Sequence, residues 1–393
     1  MQSRHVIEGS PSRASLHALP RASRRKGFWA GAAGTQMPDQ LSPRHIRKRL
    51  VQLGGLASIV VVVILVGPGL GSLRNQLKGA DPAWIAAAGA AEVLSTLSYV
   101  VVFRAVFCAH MRWRFSAQIG LAEQAANSLL PAGGAGGLAL GAWALHRAGM
   151  PTDHIARRTV AFFFLTSLAN VATVAVIALG FAVGILGHDA VPAVTYGFGA
   201  GALLAITIVV LLPGPYNRWR ARRQELPTDA GRLRRGWRHV VDAAGEGASD
   251  TLLLLRKRRA GVLIGSFGYL GFDILALCLC FVAVGHQPSF GVLVWGYLIG
   301  QLAGIIPIPG GVGATDGGLV GVYALYQVPV STAVAAVLIY RVLQIWIPAV
   351  LGTAAFVELR KTLTHKLELE NVCQPLAEPI HAERATAAVS LQP

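Results

Sequence analysis

The stretch IIPIPGGVGATDGG, residues 305–318, breaks an apolar segment with two prolines, a Gly-Gly pair and an aspartate. Each residue type has a physical consequence. Proline lacks an N–H and ends the incoming helix, while glycine permits positive φ and close backbone approach. The outgoing helix then begins with unpaired N–H groups and the positive end of its dipole. A second interruption, NSLLPAGGAGG at 127–137, has the same character. The arms around the two breaks, within 117–147 and 291–327, are roughly 13 to 16 residues each. At 1.5 Å per residue they reach about 20–24 Å, short of ~30 Å of hydrocarbon. Each region therefore reads as a re-entrant hairpin of two half-helices.

Six further blocks are long enough to span: about 50–71, 82–107, 159–187, 191–213, 260–285 and 330–356. The 393 residues are 53% hydrophobic and 14% charged, the pattern of a polytopic membrane protein. The expected fold is all-α, a bundle of six spanning helices plus two hairpins. The excess of 35 Lys+Arg over 19 Asp+Glu, a net charge of +16, would also suit a nucleic-acid binder. Its placement in short segments flanking the apolar blocks argues for loops facing anionic cytoplasmic lipid instead, so no nucleic-acid partner is expected.

Residues 1–49 form a basic leader with ten Lys/Arg against Glu8 and Asp39. Arg24-Arg25 resembles a twin-arginine signal, but no apolar stretch of adequate length follows, and the block from 50 reads as an uncleaved anchor. The tail, 361–393, reads as disordered. Cys108, Cys278, Cys280 and Cys373 lack the second ligand pair of a zinc site and read as small apolar residues. His110, His146, His154 and His286 lie at block ends without metal spacing. No metal or cofactor is expected.

Loop charges assign the sides. The leader, the 108–116 loop (Arg112, Arg114), the 146–158 loop (Arg147, Arg157, Arg158), the 214–259 loop with twelve Lys/Arg against five acids, and the tail are expected inside. The connections 187–190, 285–290 and 327–330 hold no Lys or Arg and are expected outside. The short 72–81 loop, with Arg74 and Lys78, fits less well. Six spans agree with these sides if each hairpin leaves on the side it came from. The order becomes span, span, hairpin, span, twice over in opposite orientation: an inverted-topology repeat. LLPAGGAGG (129–137) echoes IIPIPGGVG (305–313), Pro151 answers Pro329, and Glu92-Val-Leu answers Asp273-Ile-Leu.

Irregular backbone is tolerated at membrane depth only where protein or water covers it, so the two tips are expected to converge near the midplane on an anionic group. Close helix packing through small residues would explain the glycines without a ligand. Arg341 lies eleven residues into the last block, about 16–17 Å deep, and needs an interior partner. Asp316 is the nearest acid, either as that partner or as a cap for its own half-helix. Glu92, Asp273 and Glu123 are either proton or cation relays or protonated acids hydrogen-bonded within the bundle. Arg104 is expected to snorkel, and the 214–259 loop, with Trp219 and Trp237, to lie on the anionic surface.

Residues 307–348 resemble the signature of the lysylphosphatidylglycerol synthase transmembrane, or flippase-like, family. The matching residues are Pro307, Pro309, Gly310, Gly311, Gly313, Asp316, Pro329, Tyr340 and Arg341, with Asn127, Pro131, Gly133, Gly134 and Gly136 in the first half. The resemblance covers roughly 50–360. It implies a membrane region that moves lipid, with these residues around the headgroup. Many relatives carry charged groups where this chain has Gly137, Gly141, Phe162 and Phe163, which leaves the first half electrostatically blank. Only 37 residues (393 − 356) follow the last block, so the resemblance carries no aminoacyl-transferase domain. The expected function is non-enzymatic: alternating-access translocation of an anionic phospholipid or lipid-linked molecule across the cell membrane, with both termini cytoplasmic. The alternative is a noncatalytic, lipid-binding partner of a lipid-modifying enzyme or glycosyltransferase.

Overall fold

The computed structural model describes residues 71–129, 135–187, 191–222, 232–257, 259–302 and 314–364. The leader, the first apolar block up to residue 70, both hairpin turns and the tail from 365 lie outside these residues. So do Gly133, Gly134, Gly310, Gly311 and Gly313.

Twelve helices make up the described fold, with no strand among the described residues: α1 (Gly71–Lys78), α2 (Pro82–Phe107), α3 (Trp113–Leu129), α4 (Ala135–Arg147), α5 (Thr152–Ala182), α6 (Pro192–Leu211), α7 (Pro213–Arg222), α8 (Arg232–Lys257), α9 (Arg259–Ala283), α10 (Phe290–Leu302), α11 (Ala314–Leu325) and α12 (Val330–Thr364). Five are long and apolar enough to cross a membrane: Pro82–Phe107, His154–Ala182, Pro192–Leu211, Ala260–Ala283 and Val330–Leu363. Their outward faces carry Val176, Leu179, Leu203, Leu204, Ile208, Ile264, Val342 and Val350, all exposed and suited to acyl chains.

Local chemistry sets the helix ends. Asp81 caps α2, its carboxylate accepting from the Ala83 N–H at 2.8 Å with Pro82 in the first turn. α9 stops at Gly285, whose φ of 76° lets the His286 N–H donate back to the Phe281 carbonyl at 3.1 Å. Gln327 adopts the same conformation after α11, at φ 64°.

The centre is an antiparallel pair, α2 with α9. A Cβ at Gly265 would lie 2.5 Å from the Val102 backbone nitrogen, one at Gly261 3.2 Å from the Ala105 Cβ, and one at Gly268 2.8 Å from the Ser98 hydroxyl. As one number rises the other falls, which gives the direction. Ser95 donates to the Tyr269 carbonyl at 2.9 Å across the same seam, and the Asp81 N–H donates to the Ala283 carbonyl at 2.9 Å at one end. Within a bilayer lipid is as apolar as leucine, so this contact of small residues, not water exclusion, holds the helices. One buried apolar cluster gathers Phe103, Phe107, Ile119, Trp143, Phe162 and Leu359, and a second gathers Phe181, Leu277, Phe281, Trp295, Tyr323 and Tyr340.

Three expectations are corrected. Most of the 72–81 connection is α1, tied to α12 by Gln76 donating to the Thr332 hydroxyl at 3.4 Å. The 214–259 segment is chiefly two helices rather than a loop: α7 lays the Tyr216 ring over Gly245 of α8, and Gly247 of α8 packs on Val160 of α5. Helical hydrogen bonding also continues past the apolar blocks, so Arg157, Arg158, Arg360 and Lys361 lie on α5 and α12, not in connections. Arg104 is held by the turn after α2, its Nε donating to the Met111 carbonyl at 2.7 Å and its guanidinium stacking 4.3 Å from the Trp113 ring.

Candidate functional site

Glu92 lies ten residues from the start of α2 (92 − 82), Asp273 ten from the end of α9 (283 − 273), and Arg341 eleven from the start of α12 (341 − 330). The Asp81–Ala283 and Gln76–Thr332 contacts bring those three helix ends together. All three side chains therefore sit about 15–17 Å along the bundle, near the middle of a ~30 Å apolar layer.

They are joined through side chains. Arg341 forms an ion pair with Asp316, through Nε to Oδ1. Its Nη1 donates to Gln344 Oε1 at 2.6 Å. Gln344 Nε2 donates to the Tyr340 hydroxyl at 2.6 Å and to Asp273 Oδ2 at 3.4 Å. Asp273, 4% exposed, also accepts from the Tyr340 hydroxyl at 2.8 Å and from Tyr297. The Glu92 carboxyl, likewise 4% exposed, faces Asp273 closely enough for the two acids to interact directly. The chain Glu92, Asp273, Gln344, Arg341, Asp316 thus crosses four helices. Helical geometry explains its α12 portion, since residues three and four apart share a face and 340, 341 and 344 fall together. Pro348 within α12 has no N–H for the Gln344 carbonyl, which breaks the backbone ladder beside the network.

Asp316 occupies the first turn of α11. The ion pair stays partly open, with the Arg341 side chain 13% and the Asp316 side chain 26% exposed. At Gly317 and Gly321 an added Cβ would meet nothing within 4 Å, so α11 is open at those two positions. Arg341 Nη2 and Glu92 Oε2 are both buried and find no hydrogen-bond partner among the described residues.

The short helices pack tightly in two pairs, α10 with α11 and α3 with α4. α10 and α11 interlock with the Tyr323 ring over Gly296, Leu319 against Gly300, and the Tyr323 hydroxyl donating to the Leu293 carbonyl at 2.9 Å. α3 and α4 meet where Asn127 Oδ1 accepts from the Gly137 N–H at 2.9 Å. Glu123, 2% exposed, accepts from the Tyr99 hydroxyl at 3.0 Å and lies directly over Gly141. The first half is therefore not electrostatically blank. Glycine at 137 and 141 makes room for the Asn127 amide and the Glu123 carboxylate, which α3 supplies from the opposite arm.

Arg341, Asp316 and Tyr340, expected around an anionic headgroup, and Asp273 and Glu92, expected as relays or hydrogen-bonded acids, lie in one network. Asn127 and Glu123 lie apart, on α3. Tyr297, Gln344 and Tyr99 were missed. The spacing Tyr-Arg-x-x-Gln on α12 carried a signal for Gln344, whereas Tyr297 and Tyr99 are aromatic residues in apolar helices, and nothing local marks their hydroxyls as partners for an acid. No cluster of three or more His, Cys, Asp or Glu among the described residues is arranged to hold a metal ion.

These features define a multi-pass helical membrane protein with an ionic network buried at mid-bundle. The chain belongs to the family of the lysylphosphatidylglycerol synthase TM region, whose pattern matches residues 51–352. It is similar to a UPF0104 membrane protein of Methanothermobacter thermautotrophicus, 25% identical over 347 residues that cover 80% of this chain and 96% of the relative. A shorter match in that organism is 32% identical over 100 residues, covering 25% of this chain and 28% of the relative. A UPF0104 membrane protein of Methanocaldococcus jannaschii is 30% identical over 96 residues, covering 24% of this chain and 29% of the relative.

Proposed function

We propose that this protein moves an anionic phospholipid or lipid-linked anion across the cell membrane by exposing one mid-bilayer site to each side in turn. The observation that carries this reading is the Arg341–Asp316 pair: a guanidinium at mid-span, its Nη2 buried without a hydrogen-bond partner among the described residues, bound to an acid on a helix too short to cross. A phosphate would satisfy the spare N–H and compete with Asp316 for the cation, and that exchange provides differential affinity between two conformations. The role is non-enzymatic, and a lipid-modifying enzyme is a candidate supplier of the substrate.

The architecture that serves this function is six spans and two re-entrant hairpins, the first span being the block before residue 71, with both termini cytoplasmic. Three relationships support an inverted repeat. Ser95 bonds Tyr269 at a separation of 174 residues. The Tyr99–Glu123 and Asp273–Tyr297 hydrogen bonds each span 24 residues and are themselves 174 apart (273 − 99 and 297 − 123). The same link between a long helix and a hairpin arm thus recurs with donor and acceptor exchanged. Helices α10 and α11, at about 20 and 18 Å, fit a hairpin that turns back inside the layer.

The test is reconstitution in liposomes with headgroup-labelled lipids, comparing wild type with Arg341→Gln. Headgroup-dependent movement that is lost in the variant supports translocation. Lipid binding without movement across a broad lipid panel would establish the noncatalytic partner instead.

A further inference from the structure

We propose that anion binding at Arg341 is linked to proton uptake by the buried carboxyl pair of Glu92 and Asp273, an inference that rests on the anion site proposed above. Three acids, Glu92, Asp273 and Asp316, share the network with one cation, Arg341. Fully ionised, these four groups carry a charge of −2 in the middle of an apolar layer, where even one unpaired charge is strongly disfavoured. An anionic headgroup would make it more negative still.

Among the described residues, the groups around the acid pair bring no second cation. Facing the acid pair are Tyr269 and Cys280 from α9, Tyr297 from α10 and Tyr340 with Arg341 from α12, while Asp316 comes from α11. On the other side of α2, Glu123 of α3 is engaged by Tyr99. Arg74 belongs to α1, which meets α12 at Thr332, nine residues or about 14 Å of helix from Arg341. The compensating charge must come from solution as a proton. Asp273 already accepts from Tyr297, Tyr340 and Gln344, whereas Glu92 Oε2 has no partner among the described residues. Glu92 is therefore the acid that takes up the proton when the anion arrives and turns it toward Asp273, so that the two carboxyls share one proton in the anion-bound state. Gln344 bonds both Asp273 and Arg341, so the protonation of the pair and the freedom of the guanidinium share one hydrogen-bonded side chain.

Linkage makes this reciprocal: if the anion raises proton affinity, protons raise anion affinity by the same factor. The sign follows from the charge, and binding tightens as pH falls through the range in which the pair titrates.

The experiment uses the full chain in phosphatidylcholine nanodiscs, titrated calorimetrically with soluble dihexanoylphosphatidylglycerol, and separately with inorganic phosphate, in buffers of different ionisation enthalpy. Wild type is expected to take up about one proton per anion, with affinity falling about tenfold per pH unit across that range. Glu92→Gln combined with Asp273→Asn, amides of the same shape, is expected to bind without proton uptake and without pH dependence. Glu92→Gln alone, the milder change, is expected to reduce the uptake. Uptake with the lipid analogue alone identifies a headgroup site, and equal uptake with inorganic phosphate identifies a phosphate site. Binding without proton uptake in wild type, or uptake undiminished in the variants, overturns the linkage and leaves the anion site standing. Binding of neither anion, or binding unchanged in Arg341→Gln, overturns the site and the linkage together.

Discussion

The Glu123 carboxylate occupies the space left by the missing side chain of Gly141: a Cβ at position 141 would lie 1.5 Å from Glu123 Oε1. This contact, with that of Asn127 on Gly137, locks α3 to α4 at a separation that admits only glycine on α4. Gly141→Ala is expected to destabilise the protein by about 1–3 kcal/mol, the usual range for overpacking. Gly321→Ala, on an open face of α11, should have little effect. Thermal unfolding in detergent, followed by size-exclusion fluorescence, checks the difference.

Arg341 and Asp316 are neither fully buried nor fully exposed. Losing one partner should therefore cost about 2 kcal/mol, between the values for buried and surface pairs. Arg341→Gln and Asp316→Asn are each expected to destabilise by that amount. The double variant should be less destabilised than the sum of the two, because no lone charge is left behind. A double-mutant cycle on thermal stability measures the coupling, and strict additivity would mean that the pair is not formed.

Tyr340 is wholly buried and its hydroxyl touches both Asp273 and Gln344. Tyr340→Phe keeps the ring and removes the hydroxyl, so packing is preserved while Asp273 loses a donor. The expected loss is about 1–2 kcal/mol. Tyr323→Phe, which removes a hydroxyl that donates to the Leu293 carbonyl, is expected to cost less and to leave anion affinity unchanged. Comparing the two in stability and in anion titration separates a structural tyrosine from one that belongs to the network.

The long helices were legible because an apolar block of spanning length has few other readings. The Arg341–Asp316 pair was legible for a related reason: a mid-span guanidinium requires a nearby acid, and only 25 residues separate the two. What escaped depends on which helices touch. Tyr297 and Tyr99 become acid partners only because α10 packs beside α9 and α3 beside α2. Gly141 gave no hint that its emptiness is filled by Glu123, eighteen residues earlier (141 − 123). The arginines of the 214–259 segment obscured α8, whose small residues Gly245 and Gly247 dock it on Tyr216 and Val160.

The most direct measurement is lipid movement itself. Purified wild-type protein and Arg341→Gln, matched for folding by thermal unfolding, are reconstituted into liposomes carrying labelled phosphatidylglycerol in one leaflet, and the accessible fraction is followed over time. The account predicts that wild type moves the anionic lipid faster than protein-free vesicles and that Arg341→Gln returns to the protein-free rate. Equal movement by wild type and variant, or none by wild type with any anionic lipid, would contradict it.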